Sequence, residues 1–168
     1  MLPSGLPSRI QLLALLSLFG ASLHAQDPPA PLKGIRGFWV VVGVYLEAKD
    51  DSAASAELTT YAELRLRQAE VPVYDFATQL ADPMQPSLSI SVGTLSLASG
   101  LTAIRSDVSV RQLARLVGSN REHTVAIWEA APQIAIGGAS KARQTIRELL
   151  EVQLDQFLNA YLAANPDS

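Results

Sequence analysis

The sequence predicts an α+β two-layer sandwich, a mixed sheet of about five strands with two helices packed on one face. Three observations carry this expectation. Phe38–Leu46 is the most apolar and β-prone run after the N-terminal leader. A strand–helix–strand unit built on it is followed by a meander of alternating strands. A long amphipathic helix closes the chain. That order sets helices apart from the meander, which is the α+β pattern.

The chain opens with Arg9, the apolar run Ile10–Ala21 and then Ser22-Leu23-His24-Ala25. A cation, a short apolar core and a small residue before the cut describe a secretory signal peptide over residues 1–25. The core is too short to span a membrane comfortably. The expected location is therefore periplasmic or secreted, with no membrane span after cleavage. Residues 26–33, with Pro28, Pro29 and Pro31, read as a Pro-rich tether. Residues 34–168 are expected to form a single α+β domain, since roughly 140 residues after the leader suit one core. The chain has no Cys. Disulfides, thiolate chemistry and lipid attachment at an N-terminal Cys are excluded, and the fold rests on its core alone. Losing Arg9 from 13 Lys and Arg leaves 12 against 16 Asp and Glu. Mild acidity argues against nucleic acid as a partner.

Phe38–Leu46 reads as the central strand, because branched and aromatic side chains pack well on a pleated surface. Phe38, Val40, Val42, Val44 and Leu46 point one way; Trp39, Val41 and Tyr45 point the other. Both phases being apolar, the strand expects cover on both sides or one face that something else touches. Asp50, Asp51 and Ser52 offer caps for a helix running to about Ala69. Its stripe is Leu58, Ala62, Leu66 and Ala69. Val71–Tyr74 is a short second strand, expected parallel to the first through a right-handed crossover. Leu88, Ile90 and Val92 then alternate with Ser89, Ser91 and Gly93, while Leu95 and Leu97 take the opposite phase. This change predicts a bulge beside Gly93. Ser99-Gly100 is a hairpin turn. On the return strand Ile104, Val108 and Val110 point inward, and Arg105, Asp107, Ser109 and Arg111 outward. Gly118-Ser119-Asn120 is a second turn, and Thr124–Trp128 a fifth strand. Gln133–Ile136 extends the sheet or forms a loop. Gly137-Gly138-Ala139-Ser140 opens the last helix, with Ser140 as N-cap. Ile146, Leu149, Leu150, Leu154, Phe157, Leu158, Tyr161 and Leu162 form its stripe, and Asn165-Pro166 ends it.

Glu63-Leu64-Arg65-Leu66-Arg67 followed by Val71-Pro72-Val73 resembles a pattern in small exported bacterial proteins of unknown function. Those proteins join a Glu-Leu-Arg-Leu-Arg-like helix end to a Gly-Ile-Pro-Val-like strand. The likeness continues through the hairpin, Trp128 and the ending Asp155-Gln156-Phe157-Leu158-Asn159-Ala160-Tyr161-Leu162. It covers most of the chain after the leader, and its motifs imply fold and export rather than a reaction. One departure is Glu70, where the pattern has Gly; Glu must leave the helix without Gly's left-handed freedom. A looser similarity, of topology alone, is to αβ domains of envelope-assembly proteins.

No catalytic or metal motif stands out. His123 is the only histidine after the leader; a general base needs a nucleophile and an orienting acid beside it. No Gly-x-Ser-x-Gly elbow and no Ser-Lys spacing occurs. One His and no Cys make zinc a poor fit, and Asp50-Asp51 is explained as a helix cap. Gly137-Gly138-Ala139-Ser140-Lys141 offers an anion cradle only if its N–H groups are free. No cofactor is expected. The first functional reading is a non-catalytic exported module that binds a partner protein or ligand. The alternatives are a hydrolase with an unrecognised site and a structural homo-oligomer. Both amphipathic helices are expected over Val40, Val42, Val44, Ile90, Val108 and Val110. The opposite face is then the contact surface, with Trp39, Tyr45, Arg105 and Arg111, and Trp128 if its strand pairs in that phase. The rival is that Gln133–Ile136 or the tether folds over this face.

Overall fold

The computed structural model describes residues 30–47 and 49–166. The expected signal peptide and residues 26–29 of the expected tether lie outside the described residues. A 3-10 turn at Ala30–Leu32 leads into β1 (Trp39–Leu46) and the two-residue β2 (Lys49–Asp50). Then come α1 (Ser52–Gln68), α2 (Phe76–Ala81), β3 (Ser87–Ser96), β4 (Leu101–Arg115), β5 (Glu122–Glu129), β6 (Gln133–Gly138) and α3 (Ala142–Ala164). The result is the α+β sandwich expected, a mixed sheet with helices packed against it. Strand order is β2-β1-β3-β4-β5, and β6 also pairs with β4.

β1 runs parallel to β3, with Val40 beside Leu88 and Val42 beside Ile90. β3 and β4 form an antiparallel hairpin in continuous register from Ser87–Arg111 to Ser96–Thr102. β5 and β6 follow one another along the far side of β4. Gln133–Ile136 thus extends the sheet as part of β6, and does not fold over a face.

The helix-facing side of the sheet is the core. Phe38, Val40, Val44, Leu88, Ile90, Val92, Ile104, Val108 and Val110 are buried there against Leu58, Ala62 and Leu66 of α1 and Leu150, Leu154 and Phe157 of α3. Phe38 meets Phe157 edge-on at 5.1 Å between ring centroids. The two helices run in the same direction. Glu57 pairs with Arg147 and Arg65 with Asp155 along their seam, and the Arg147 guanidinium lies 5.7 Å over the Tyr61 ring. α3 also buries Gln153 completely. Its Oε1 accepts from the Ser106 hydroxyl at 2.6 Å, and its Nε2 donates to the carbonyls of Ser106 at 3.0 Å and Ala131 at 3.1 Å. Those carbonyls flank the gap between β5 and β6, so one side chain satisfies the interruption of the ladder.

Several expectations need correction. The bulge beside Gly93 does not occur: Leu95 sits squarely opposite Ala103, so the change of apolar phase marks apolar residues on the other sheet face. The register shift lies instead between Val110 and Arg111 against β5. Val71–Tyr74 is parallel as expected but shrinks to a single bridge, Phe38 with Val73. Phe38 N–H donates to Pro72 O at 3.0 Å and Tyr74 N–H to Phe38 O at 2.8 Å; Pro72 has no N–H with which to extend the ladder. Gly37 permits the approach, because a Cβ there would lie 2.6 Å from Pro72 O. Ser140 is not the cap of α3. Gly137 and Gly138 end β6 opposite Thr102 and Leu101, and a 3-10 turn over Ala139–Lys141 leads into the helix. Leu32, expected in the tether, is fully buried. Asn165 pins this segment: Gly34 N–H donates to its Oδ1 at 2.8 Å, and its Nδ2 donates to Leu32 O at 2.9 Å. Tyr161 OH donates to Ile35 O at 3.0 Å.

Candidate functional site

With α1 and α3 on one side, strand alternation leaves Trp39, Val41, Gly43 and Tyr45 of β1 on the other. Their neighbours on that open face follow from register: Ser87, Ser89, Ser91, Gly93 and Leu95 of β3, then Leu101, Ala103, Arg105, Asp107, Ser109 and Arg111 of β4. β6 adds Ile134 beside Arg105 and Ile136 beside Ala103.

The centre of this face is polar. A depression of about 400 Å³ is lined by Ser89, Ser91, Arg105, Asp107, Ser109, Arg111, Glu129 and Pro132, among others. Arg105 and Asp107 lie two apart on one strand and so share the face. Their fork closes at 2.8 Å and 3.0 Å, and Asp107 raises the guanidinium pKa further, through its hydrogen bonds first and its charge second. That arginine's charge is matched internally. Arg111 makes no ion pair among the described residues; its Nε donates to Ser109 Oγ at 3.4 Å.

One end of the face is apolar. Leu95 is 61% exposed, Ile134 70% and Ile136 63%, with Leu101 and Tyr45 beside them also exposed. The Tyr45 ring folds back over Gly43, where a Cβ would meet it at 3.1 Å. The opposite corner is covered. Trp39 is half-buried, and Phe76 of α2 lies 6.0 Å from it between ring centroids. Asp75 caps α2, its carboxylate accepting from Thr78 N–H at 2.8 Å; that bond holds its pKa below the usual carboxylate value.

The structure therefore brings Tyr45, Arg105 and Arg111 onto one exposed surface and tucks Trp39 under α2. Trp128 belongs to the other side: it lies opposite Val110, whose side chain enters the core, and its ring meets Phe157 at 5.5 Å. Sequence reasoning missed Leu95, Leu101, Ile134 and Ile136. The signal for Leu95 was present, in the change of phase after Gly93.

The other candidates occupy ordinary structural positions. His123 is exposed on β5 opposite Ala114. Asp51 caps α1, accepting from Ala54 N–H at 3.0 Å. Gly137 and Gly138 lie in a strand and make no anion cradle. Among the described residues no three His, Cys, Asp or Glu side chains gather as a metal site, and no helix is long and apolar enough to cross a membrane. A larger depression, about 600 Å³, is lined by Lys33, Arg36, Glu70, Tyr161 and Asn165 among others. Its walls include the clamp that ties the two ends of the domain.

No family model matches the chain, and no curated protein matches it. Among solved structures, the PelC dodecamer from Paraburkholderia phytofirmans is similar at 12% identity and a TM-score of 0.37, covering 79% of this chain and 90% of that one. The lipoprotein GNA1162 from Neisseria meningitidis is similar at 14% identity and a TM-score of 0.36, covering 71% of this chain and 99% of that one. Neither likeness assigns a function.

Proposed function

We propose that this chain is an exported, non-catalytic module that docks a partner protein on its open sheet face, in the periplasm or outside the cell. One observation carries the reading: both long helices pack on the same side of the sheet, and the other side keeps an exposed apolar end, Tyr45, Leu95, Ile134 and Ile136, with Arg111 on the same face toward the other end of the strands. A face that joins exposed aromatic and aliphatic side chains with an arginine is the makeup of contact surfaces. Export is supported by the leader pattern of residues 1–25. A hydrolase would need an activated nucleophile, and no histidine lies among the residues lining the central depression with Ser89, Ser91 and Ser109.

The test is crosslinking of the tagged protein in living cells of an exporting host, followed by mass spectrometry. Tyr45→Ala and Arg111→Glu are each expected to cut capture of the partner at least ~10-fold, as hot-spot losses do, with melting curves close to the parent's. Both variants capturing like the parent overturns the docking face. N-terminal sequencing that returns Met1 on the folded protein overturns export.

A further inference from the structure

The two edges of the sheet are treated differently. Along the outer edge of β1, Val44 N–H donates to Ser55 Oγ at 3.0 Å and Val44 O accepts from Asp51 N–H at 2.9 Å. The charged pair Lys49-Asp50 closes the strand's far end as β2, and the Pro72 bridge closes its start. Such devices stop an edge from recruiting another strand. The edge formed by β6 has none of them. Gln133-Ile134-Ala135-Ile136-Gly137-Gly138 carries no charge and no proline.

Its free peptide groups can be named. Leu97 N–H donates to Leu101 O, so odd-numbered residues at this end of β4 turn their peptide groups to β3 and even-numbered ones to β6. Thr102, Ile104 and Ser106 thus bond to Gly137, Ala135 and Gln133, their register partners. Ile134 and Ile136 turn N–H and C=O outward, on a strand that among the described residues pairs on one side only. Their side chains are the two most exposed isoleucines of the open face.

We infer that β6 is a homotypic pairing edge: two copies of this chain join by antiparallel β6–β6 pairing about a two-fold axis centred on Ala135. In that register Ile134 of one copy faces Ile136 of the other, and each such pair exchanges both backbone hydrogen bonds. A two-fold brings identical residues near one another, so an uncharged strand meets its own copy without like-charge repulsion. The β5 edge would instead bring Glu122 and Glu129 of the two copies together. Pro132, lacking an N–H, ends the pairing at one side. The sheet then continues from copy to copy, and the exposed isoleucines and Leu101 of both form one apolar surface. The pairing uses backbone groups of β6 and needs no molecule docked on the open face, although Ile134 and Ile136 border both.

The cysteine-free chain makes the test direct. The exported, purified protein is expected to sediment as a monomer–dimer equilibrium. Across the two-fold, Ala135 of each copy forms a non-hydrogen-bonded pair with Cα atoms about 4.5 Å apart, within disulfide reach. Ala135→Cys is therefore expected to give a covalent dimer on mild oxidation, and Ser91→Cys, in the middle of the open face, is not. Ile136→Lys, exposed and outside the core, is expected to weaken association at least ~10-fold while keeping its circular dichroism and melting curve. The proposal is overturned by a monomer throughout the concentration series. It is equally overturned by association indifferent to Ile136→Lys, or by crosslinking through Ser91→Cys in place of Ala135→Cys. A parent protein that stays monomeric yet captures its partner would overturn edge pairing and leave the docking face standing.

Discussion

Glu70 shows how a single residue can resist its backbone and still be tolerated. It holds φ at +60°, where a Cβ costs on the order of 1 kcal/mol. The helix end nevertheless closes: Val71 N–H reaches Leu66 O at 2.9 Å and Glu70 N–H reaches Arg67 O at 3.1 Å. This is the Schellman pair of bonds, with buried Leu66 and Val71 as its apolar contact. Glu70→Gly is expected to raise stability by about 0.5–1 kcal/mol, the relief of strain less the added freedom of the unfolded chain. Thermal melts at equal ionic strength check it; a lower melting temperature would mean that the Glu side chain contributes something its exposure conceals. Gln153 is the opposite case, a polar residue that the core requires. Gln153→Ala would remove the partner of Ser106 Oγ, take one hydrogen bond from each of two carbonyls and leave a cavity, costing about 2–4 kcal/mol. Chemical denaturation measures this, and a loss below ~0.5 kcal/mol would mean water replaces the amide.

At the scale of elements, α3 matters most. Its 23 residues reach about 35 Å at ~1.5 Å per residue, enough to cross the sheet. Leu150, Leu154 and Phe157 are fully buried beneath it. Leu154→Ala is expected to cost ~2–5 kcal/mol, a large share of the stability of a domain this size. A denaturation midpoint unchanged by that substitution would contradict the packing. The stripe was legible because apolar residues recur at helical spacing; Gln153 escaped notice because a glutamine reads as solvent-facing until its partners are in place. In β3, alternation located the strand, yet the phase of Leu95 was readable only with β4 beside it. Contact with Ala103 tells an apolar second face from a slipped register, and both give the same pattern along one strand.

At the scale of the whole molecule, the two ends of the domain are fastened to each other. Leu32, preceded by Pro31 in a run that composition marks as a tether, is buried, and Asn165 bonds across to Gly34 and Leu32. Leu32→Ala is therefore expected to cost ~2–5 kcal/mol and to speed amide exchange over residues 32–36. A variant as stable as the parent, with unchanged exchange, would restore the tether reading for this segment. The same global arrangement leaves one sheet face to α1 and α3 and the other to solvent and α2.

The sequence by itself determined the fold class, a strand at Phe38–Leu46, both long helices, the turns at Gly100 and Gly118, and the alternation that separates Val108 and Val110 from Arg105 and Arg111; its expectation that this strand is central is corrected, since only the two-residue β2 lies beyond β1. These features follow from local chemistry, in which side-chain periodicity, caps and left-handed glycines act within a few residues of one another. Tertiary structure alone decided that Trp128 turns inward, because its phase depends on a register shift against β4. It decided that Trp39 lies under Phe76, since the docking of a six-residue helix is not written in its own sequence. It also decided that Ile134 and Ile136 stand at an open edge. Whether a strand is central or peripheral depends on which neighbours exist, and the chain's own apolar pattern is the same in both positions.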